Sequence, residues 1–290
     1  MNIGYNNYAI MNRIIMLGTG NAVVTQCYNT CFLLCTPSTK LLVDAGGGNG
    51  ILCQLRKVGV SIAEIHHLYV THAHTDHVLG VVWVIRMVAQ CKDYNGHLHV
   101  YGNDKVMRVV HTIIDMVLAK KQLLKVQERV IFHQLEDGEC FEVGDIHMQC
   151  FDIHSTKEKQ FGFRAELPLN DIDISETSGA PSKRTQTLVC LGDEPYNTLN
   201  RPLVENADWL MCEAFCLYND RDLFKPYEKN HSTALDAGKL ATELKVKNLV
   251  LYHTEDKTLS TRRATYSKEA SQNFAGRIVV PDDLEEIELV

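Results

Sequence analysis

Residues 68–80 read Leu-Tyr-Val-Thr-His-Ala-His-Thr-Asp-His-Val-Leu-Gly, and this stretch decides the fold. A strand-like apolar run precedes His72 and His74, which lie two positions apart. In an extended chain alternate side chains point to the same side, so both imidazoles can bind one cation. Asp76 and His77 follow where the apolar residues change to helical spacing, which turns them toward a second cation. The stretch therefore predicts two metal sites between a strand and a helix, about 3.5–4 Å apart as in two-metal hydrolases.

The composition is that of a globular enzyme. The chain has 290 residues, 45% of them hydrophobic, which is enough to bury a sizeable core. The formal net charge of −7 argues against a broadly basic nucleic-acid-binding surface, although two divalent cations would add positive charge locally. No repeat, low-complexity tract or charge break marks a domain boundary. We expect a single domain over residues 1–290, with residues 1–11 as an N-terminal extension.

The sequence predicts a cytoplasmic protein that does not engage a membrane. Residues 1–11 have neither the basic start nor the apolar centre of a signal peptide. The longest apolar run, Val78 to Ile85, is too short to span a bilayer. The ten cysteines include no Cys-x-x-Cys pair, so we expect reduced thiols rather than a disulfide framework.

Further candidate ligands stand where predicted strands end. A strand around Phe141–Cys150 leads to His154, which we take as the third ligand of the first metal. Asp193 ends a buried strand, and a carboxylate in that position beside two cations can bridge them. His253 ends another strand and completes the second metal site.

For other polar residues we favour structural interpretations or leave the choice open. Asp44 follows a strand and precedes three glycines, so it is either a partner of a metal-binding histidine or a turn cap. His111 lies on the solvated face of a predicted helix, and we do not count it as a ligand. The polar segment 170–184 predicts a surface loop.

The motif His72-x-His74-x-Asp76-His77 resembles the metallo-β-lactamase superfamily. The order of motifs along nearly the whole chain, from about residue 13 to residue 288, is similar to the ribonuclease Z family of tRNA 3′-end endonucleases. The motifs are Leu17-Gly18-Thr19-Gly20, the His-x-His-x-Asp-His run, His154, Gly192-Asp193, His231-Ser232-Thr233 and Leu251-Tyr252-His253. The His-Ser-Thr run before the last histidine points to the phosphodiesterase branch. The resemblance implies an α/β fold, a four-layer αββα sandwich.

The resemblance also implies a ligand set for two zinc ions, and Mn²⁺ or iron would suit the same donors. The implied ligands are His72, His74, His154 and Asp193 for one ion, and Asp76, His77, Asp193 and His253 for the other. His231 would be the general acid or a phosphate-contacting residue, and Glu213 would orient it. We also count Asp76 among the catalytic residues.

The implied function is that of a binuclear zinc phosphodiesterase of ribonuclease Z type, acting on the tRNA 3′ end as a homodimer. Three departures from the family pattern concern the tRNA substrate rather than the metal site. Only 38 residues separate His154 from Asp193, where the family carries a tRNA-gripping arm, so the arm is missing or reduced to the 170–184 loop. Glu194 follows the bridging aspartate where the family usually has threonine, and Thr254-Glu255-Asp256 follows the last histidine.

Two alternatives remain open. The chain could be a hydrolase of small phosphodiesters, esters or lactones, because those substrates need no arm. It could also be a metal-stabilised binding protein without turnover. The redox branch of the superfamily is disfavoured because it typically has a glutamate where this chain has His74.

Overall fold

The computed structural model describes residues 11–169 and 184–290. The expected extension over residues 1–11 and the polar segment 170–184 fall almost wholly outside these ranges. The strands are β1 (Arg13–Gly18), β2 (Cys31–Cys35), β3 (Lys40–Val43), β4 (His67–Tyr69), β5 (Leu98–Gly102), β6 (Val130–Gln134), β7 (Cys140–Val143), β8 (Ile146–Asp152), β9 (Phe161–Pro168), β10 (Thr185–Cys190), β11 (Trp209–Glu213), β12 (Asn248–Tyr252), β13 (Arg277–Val279) and β14 (Glu286–Glu288). The α-helices are α1 (Gly50–Lys57), α2 (Thr75–Gln90), α3 (Asp104–Val117), α4 (Lys120–Arg129), α5 (Arg201–Val204), α6 (Arg221–Phe224), α7 (Ala234–Glu243) and α8 (Leu259–Ala270).

The strands form two mixed sheets of seven. The first sheet has the order β14-β1-β2-β3-β4-β5-β6, and the second has the order β13-β12-β11-β10-β9-β8-β7. Strands β3 to β6 are mutually parallel, as are β10 to β13. Strands such as β2 are buried along their whole length, because both faces of the sheet are covered.

Three apolar cores separate four layers. The core between the sheets includes Phe32, Phe163 and Trp209. Helices α1 to α4 cover the outer face of the first sheet, with Ile85 of α2 fully buried there. Helices α7 and α8 cover the second sheet, and Tyr266 of α8 is fully buried beneath them. The expected αββα sandwich is confirmed.

The segment expected as one strand, Phe141–Cys150, is instead a hairpin. Strands β7 and β8 pair antiparallel, and Gly144 makes the turn between them with a φ of 60°. Gly144 also lies against Thr39, whose side chain would collide with any β-carbon at this position. Alternating apolar residues on both sides of the Gly144-Asp145 pair resemble one longer strand, so the sequence pattern does not reveal the turn.

No helix in the two described ranges combines the length and hydrophobicity that a membrane crossing needs. The longest of the helices at the site, α2, has 16 residues and follows directly from the His-x-His segment. Its position is fixed by Gly80, where a β-carbon would lie 1.8 Å from the carbonyl oxygen of Ala45. This close approach places the second turn of α2 against the chain that follows β3.

Candidate metal centre

The candidate site lies at the carboxyl ends of parallel strands from both sheets. The chain after β4 stays extended through His74 and then enters α2, whose first turn carries Asp76 and His77. Asp193 follows β10 and His253 follows β12. A buried carboxylate in the first turn of α2 is favoured by the unsatisfied N–H groups and dipole of the helix N-terminus.

Two groups of three buried side chains could each hold a metal ion. His72, His77 and Asp193 form one group, with ligand atoms within 4.8 Å of one another. Asp76, His77 and His253 form the other. The sequence had assigned five of these positions, and the structure brings all five together. It differs from the expected pairing in two ways, because His77 belongs to both groups and Asp193 belongs to the first group only.

Asp193 stands at the centre of the cluster. Its Oδ2 atom lies 3.4 Å from Nε2 of His72, 3.6 Å from Nε2 of His77 and 3.7 Å from Nε2 of His253. On the far side, Nε2 of His77 lies 3.3 Å from Oδ2 of Asp76. One carboxylate oxygen therefore lies near imidazoles from both groups.

Polar partners behind the rings fix which nitrogen faces the cluster. Nδ1 of His77 lies 2.7 Å from Oδ2 of Asp44, and Nδ1 of His253 lies 3.2 Å from the Thr30 hydroxyl. Nδ1 of His72 is 3.0 Å from the Gln160 amide nitrogen. Contacts on Nδ1 leave Nε2 of each ring directed at Asp193. Of the two readings of Asp44, the contact with His77 agrees with the first.

The donors fit a metal ion. Nε2 of His77 and Oδ1 of Asp193 are buried without a hydrogen-bond partner. Buried polar atoms are rarely left in this state, because losing water without a replacement contact costs free energy. A cation would satisfy both atoms, and a set of imidazole nitrogens and carboxylate oxygens suits zinc, manganese or iron.

The protonation states of His253 and Asp193 suit a cation. Burial lowers the pKa of His253 to about 3, so its ring is neutral and keeps a lone pair for a metal. Burial alone would raise the pKa of Asp193, but the nearby imidazoles of His72, His77 and His253 hold it well below its usual range. The cluster therefore combines a neutral imidazole with a charged carboxylate.

Two expected ligands stand outside both groups. His74 is half-buried, and its Nδ1 lies 2.9 Å from Nε2 of His72. His154 is exposed, with a φ of 59°, and its backbone N–H donates to Asp152. Their assignment as ligands stays a prediction.

His231 and Glu213 lie together beside the cluster, as the sequence had proposed. Nδ1 of His231 is 3.6 Å from Oε2 of the fully buried Glu213, and the ring stacks on Phe215 with centroids 4.6 Å apart. The His231 and His253 centroids are 5.6 Å apart. Burial raises the pKa of Glu213, whose other oxygen accepts a hydrogen bond from the backbone N–H of Ser232. His231 thus borders the cluster without belonging to either group.

The sequence did not single out Thr30 or Gln160. Gln160 lies 88 positions from His72, and Thr30 lies 223 positions from His253. Neither residue type marks a site by itself, and no local spacing links either one to its histidine. Only the assembled fold reveals these contacts.

Comparison with known proteins identifies sequences that are similar to this chain. A family model described as "Anti-Pycsar protein Apyc1" matches residues 12–277. Ribonuclease Z from Thermobifida fusca is 26% identical, with 93% of this chain and 92% of that protein covered. Ribonuclease Z from Bradyrhizobium diazoefficiens is 24% identical, with 84% and 89% covered.

Solved structures agree on the fold. The metallo-β-lactamase fold protein YhfI from Bacillus subtilis aligns with a TM-score of 0.70 at 19% identity, covering 96% of this chain and 99% of that one. The short form of human tRNase Z aligns with a TM-score of 0.71 at 17% identity and the same coverage. The chain therefore has the metallo-β-lactamase fold.

Proposed function

Because this chain belongs to the Anti-Pycsar protein Apyc1 family and is a metal-dependent hydrolase of ribonuclease Z type, we propose that it is a binuclear phosphodiesterase. The observation that carries the proposal is the Asp193 carboxylate, one oxygen of which lies 3.4–3.7 Å from the imidazoles of His72, His77 and His253. A carboxylate shared between two cations is typical of two-metal phosphoryl-transfer sites.

Seven residues hold the two ions in this proposal. They are His72, His74, His154 and Asp193 for the first ion, and Asp76, His77, Asp193 and His253 for the second. Zinc is the proposed metal, because imidazole and carboxylate donors suit it, and manganese or iron is the alternative. Divalent ions in such a donor set supply Lewis acidity and bring the pKa of a water into the neutral range.

His231 is the proposed general acid. Its Nδ1 faces the Glu213 carboxylate at 3.6 Å, which leaves Nε2 as the nitrogen that can give a proton to the leaving oxygen. Glu213 and the stacked Phe215 ring hold the imidazole in that orientation. Asp76 is a proposed ligand of the second ion, and its negative charge would help to hold that ion.

The proposed substrate is a phosphodiester, and the tRNA 3′ end is the candidate that the ribonuclease Z relatives suggest. A small phosphodiester is the second candidate, and one observation favours it. Pro168 of β9 pairs directly with Thr185 of β10, so only residues 169–184 could form an arm between them. By the same resemblance the enzyme is proposed to act as a cytoplasmic homodimer, and light scattering on the purified protein tests that assembly.

A side-by-side assay tests the proposed function. The zinc-loaded, manganese-loaded and metal-free proteins are incubated with a precursor tRNA and with bis(p-nitrophenyl) phosphate. We expect hydrolysis by a metal-loaded form and none after chelation. Two bound metals per chain without hydrolysis of either substrate would favour the binding-protein alternative. Cleavage of an ester or lactone alone would favour the other hydrolase class.

A further inference from the structure

Lys157 lies at the open side of the site and has no part in the roles described above. Its Nζ atom is 3.5 Å from Nε2 of His231, the nitrogen that faces away from Glu213. About a third of its side chain is exposed. An ammonium group and the proposed acid nitrogen therefore converge on the same space beside the metal cluster.

The backbone around Lys157 is held in place. The Ser155 hydroxyl accepts hydrogen bonds from the N–H groups of Lys157 and Glu158, at 3.1 and 3.2 Å. At the far end of the segment, the carbonyl oxygen of Lys159 accepts from the Asn103 amide at 2.9 Å. The lysine therefore approaches His231 from an ordered turn.

Glu194 ties this turn to the chain that carries His231. The carboxylate is 4% exposed and directly follows Asp193. One of its oxygens accepts from the Ser155 hydroxyl at 2.6 Å, and the other accepts from the Asn230 amide, next to His231. A shorter side chain such as threonine could not make both contacts. Glu194 thus holds the segments that carry Lys157 and His231 together.

The charge of Lys157 is only loosely compensated. Within the described ranges its nearest carboxylate oxygen is Oε1 of Glu194, at 3.9 Å, and that atom already accepts from Ser155. Lys159, two positions on, is instead paired with Asp104 at 2.7 Å. The ammonium of Lys157 therefore keeps hydrogen-bonding capacity toward a ligand in the site, and an anionic oxygen is its natural partner.

We propose that Lys157 binds an anionic oxygen of the substrate beside His231, and that Glu194 is the positioning residue that holds it there. The inference rests on the proposed function, because it identifies Lys157 as the residue that contacts the phosphodiester anion. A lysine so placed favours substrates with a negative phosphoryl group over neutral esters, and it stabilises charge that develops on the leaving oxygen. The residue thereby determines substrate class.

Phosphate binding tests the inference without turnover. The metal-loaded protein is titrated with inorganic phosphate by calorimetry in four forms: wild type, Lys157→Gln, Lys157→Arg and the matched control Lys159→Gln. We expect Lys157→Gln to weaken binding about tenfold, the usual loss of a partly exposed charged hydrogen bond. Lys157→Arg should keep most of the affinity, and Lys159→Gln should match wild type. Equal affinity in wild type and Lys157→Gln, or undetectable binding by wild type, overturns the inference.

Kinetics separate this inference from the proposed function. Lys157→Gln should lower kcat/KM for bis(p-nitrophenyl) phosphate about tenfold, while the metal content stays unchanged. Glu194→Gln should lower it by a smaller factor, because the turn loosens but the ammonium remains. A wild-type protein without phosphodiesterase activity refutes the proposed function, while the phosphate titration still decides the role of Lys157.

Discussion

At the scale of single residues, the Asp193 carboxylate is the centre of the site. Oδ2 of Asp193 lies within 3.7 Å of three imidazole nitrogens, and its Oδ1 is buried without a partner. Four unit charges from two divalent ions could not be held close together without a negative group between them. Asp193 is therefore the residue whose loss should disturb both ions at once.

We expect Asp193→Ala to reduce the metal content of both sites, because each ion loses a ligand and the shared negative charge. His253→Ala should empty mainly the second site, since that ring belongs to one group only. Elemental analysis of the dialysed variants measures both effects. Two metals per chain retained in Asp193→Ala would remove this residue from the bridge.

His231 lies outside both groups of three. A substitution at His231 should therefore affect catalysis without affecting metal binding. His231→Ala should keep its metals yet lose about 10²–10⁴-fold in kcat, the usual contribution of a positioned general acid. Metal content and kcat for bis(p-nitrophenyl) phosphate are measured on the same sample. Retained activity together with lost metal would make His231 a ligand instead.

The sequence predicted the residues whose neighbours in the chain reveal them. His72, Asp76 and His77 share one short motif, and Asp193 and His253 each end an apolar run. Partners such as Gln160 contact the site only through the assembled fold, so no local pattern could predict them. The same limit applies to Glu194, which the sequence marked as a departure without revealing what it contacts.

At the scale of elements, apolar patterning predicted those strands and helices that bury one continuous stripe. Helix α4 was not predicted, because Val126 is its only buried residue. Helix α8 was not predicted either, since its buried positions include Arg262 and Glu269 rather than an apolar stripe. Arg262 is nonetheless only 1% exposed. Its guanidinium donates hydrogen bonds to the hydroxyls of Thr19 and Thr254 and so links the loops beside His253. Polar contacts of this kind produce no periodic pattern of apolar residues in the sequence.

A stack of imidazoles crosses the parallel strands β4, β5 and β6 away from the site. The His67 and His99 rings stack with centroids 5.5 Å apart, and those of His99 and His133 are 5.1 Å apart. The Tyr101 ring stacks on His133 at 4.6 Å. Burial, and then the neighbouring rings His99, His66 and His133, lower the pKa of His67 to about 4.

The stack should make stability depend on pH. An unfolded histidine takes a proton below about pH 6.5, whereas His67 stays neutral in the folded protein until about pH 4. The contribution is fully present above pH 6.5 and is lost progressively as the pH falls to 4. We expect wild type to lose about 1–2 kcal/mol more than His67→Gln over this range, allowing for solvent screening of the half-buried ring. Urea unfolding at several pH values measures the difference, and parallel stability curves would refute it.

At the scale of the whole molecule, the site exists only because the two sheets are packed together. His72, Asp76 and His77 come from the first sheet and its helix layer, while Asp193 and His253 follow strands of the second. Neither half carries a complete group of three ligands by itself. Metal binding should therefore stabilise the packed sandwich, because an ion that binds only the folded state shifts the folding equilibrium toward it.

The surface charge and the short β9–β10 connection together set the size of substrate that we expect. A chain at −7 has no net excess of lysine and arginine that could release counterions from a phosphate backbone, and only residues 169–184 lie between Pro168 and Thr185. A tRNA could be held only near its scissile end. Small phosphodiesters should therefore be cleaved comparatively well, and precursor tRNA weakly by a single chain unless a partner subunit supplies the missing grip.

A salt series tests this last prediction. The value of kcat/KM is measured for bis(p-nitrophenyl) phosphate and for precursor tRNA as the salt concentration rises, with the oligomeric state followed in parallel. We expect the small substrate to show a shallow dependence, because it has one phosphate and releases few counterions. Efficient tRNA cleavage that falls steeply with salt would contradict the prediction. It would require a basic binding surface that neither the sequence nor the described part of the structure reveals.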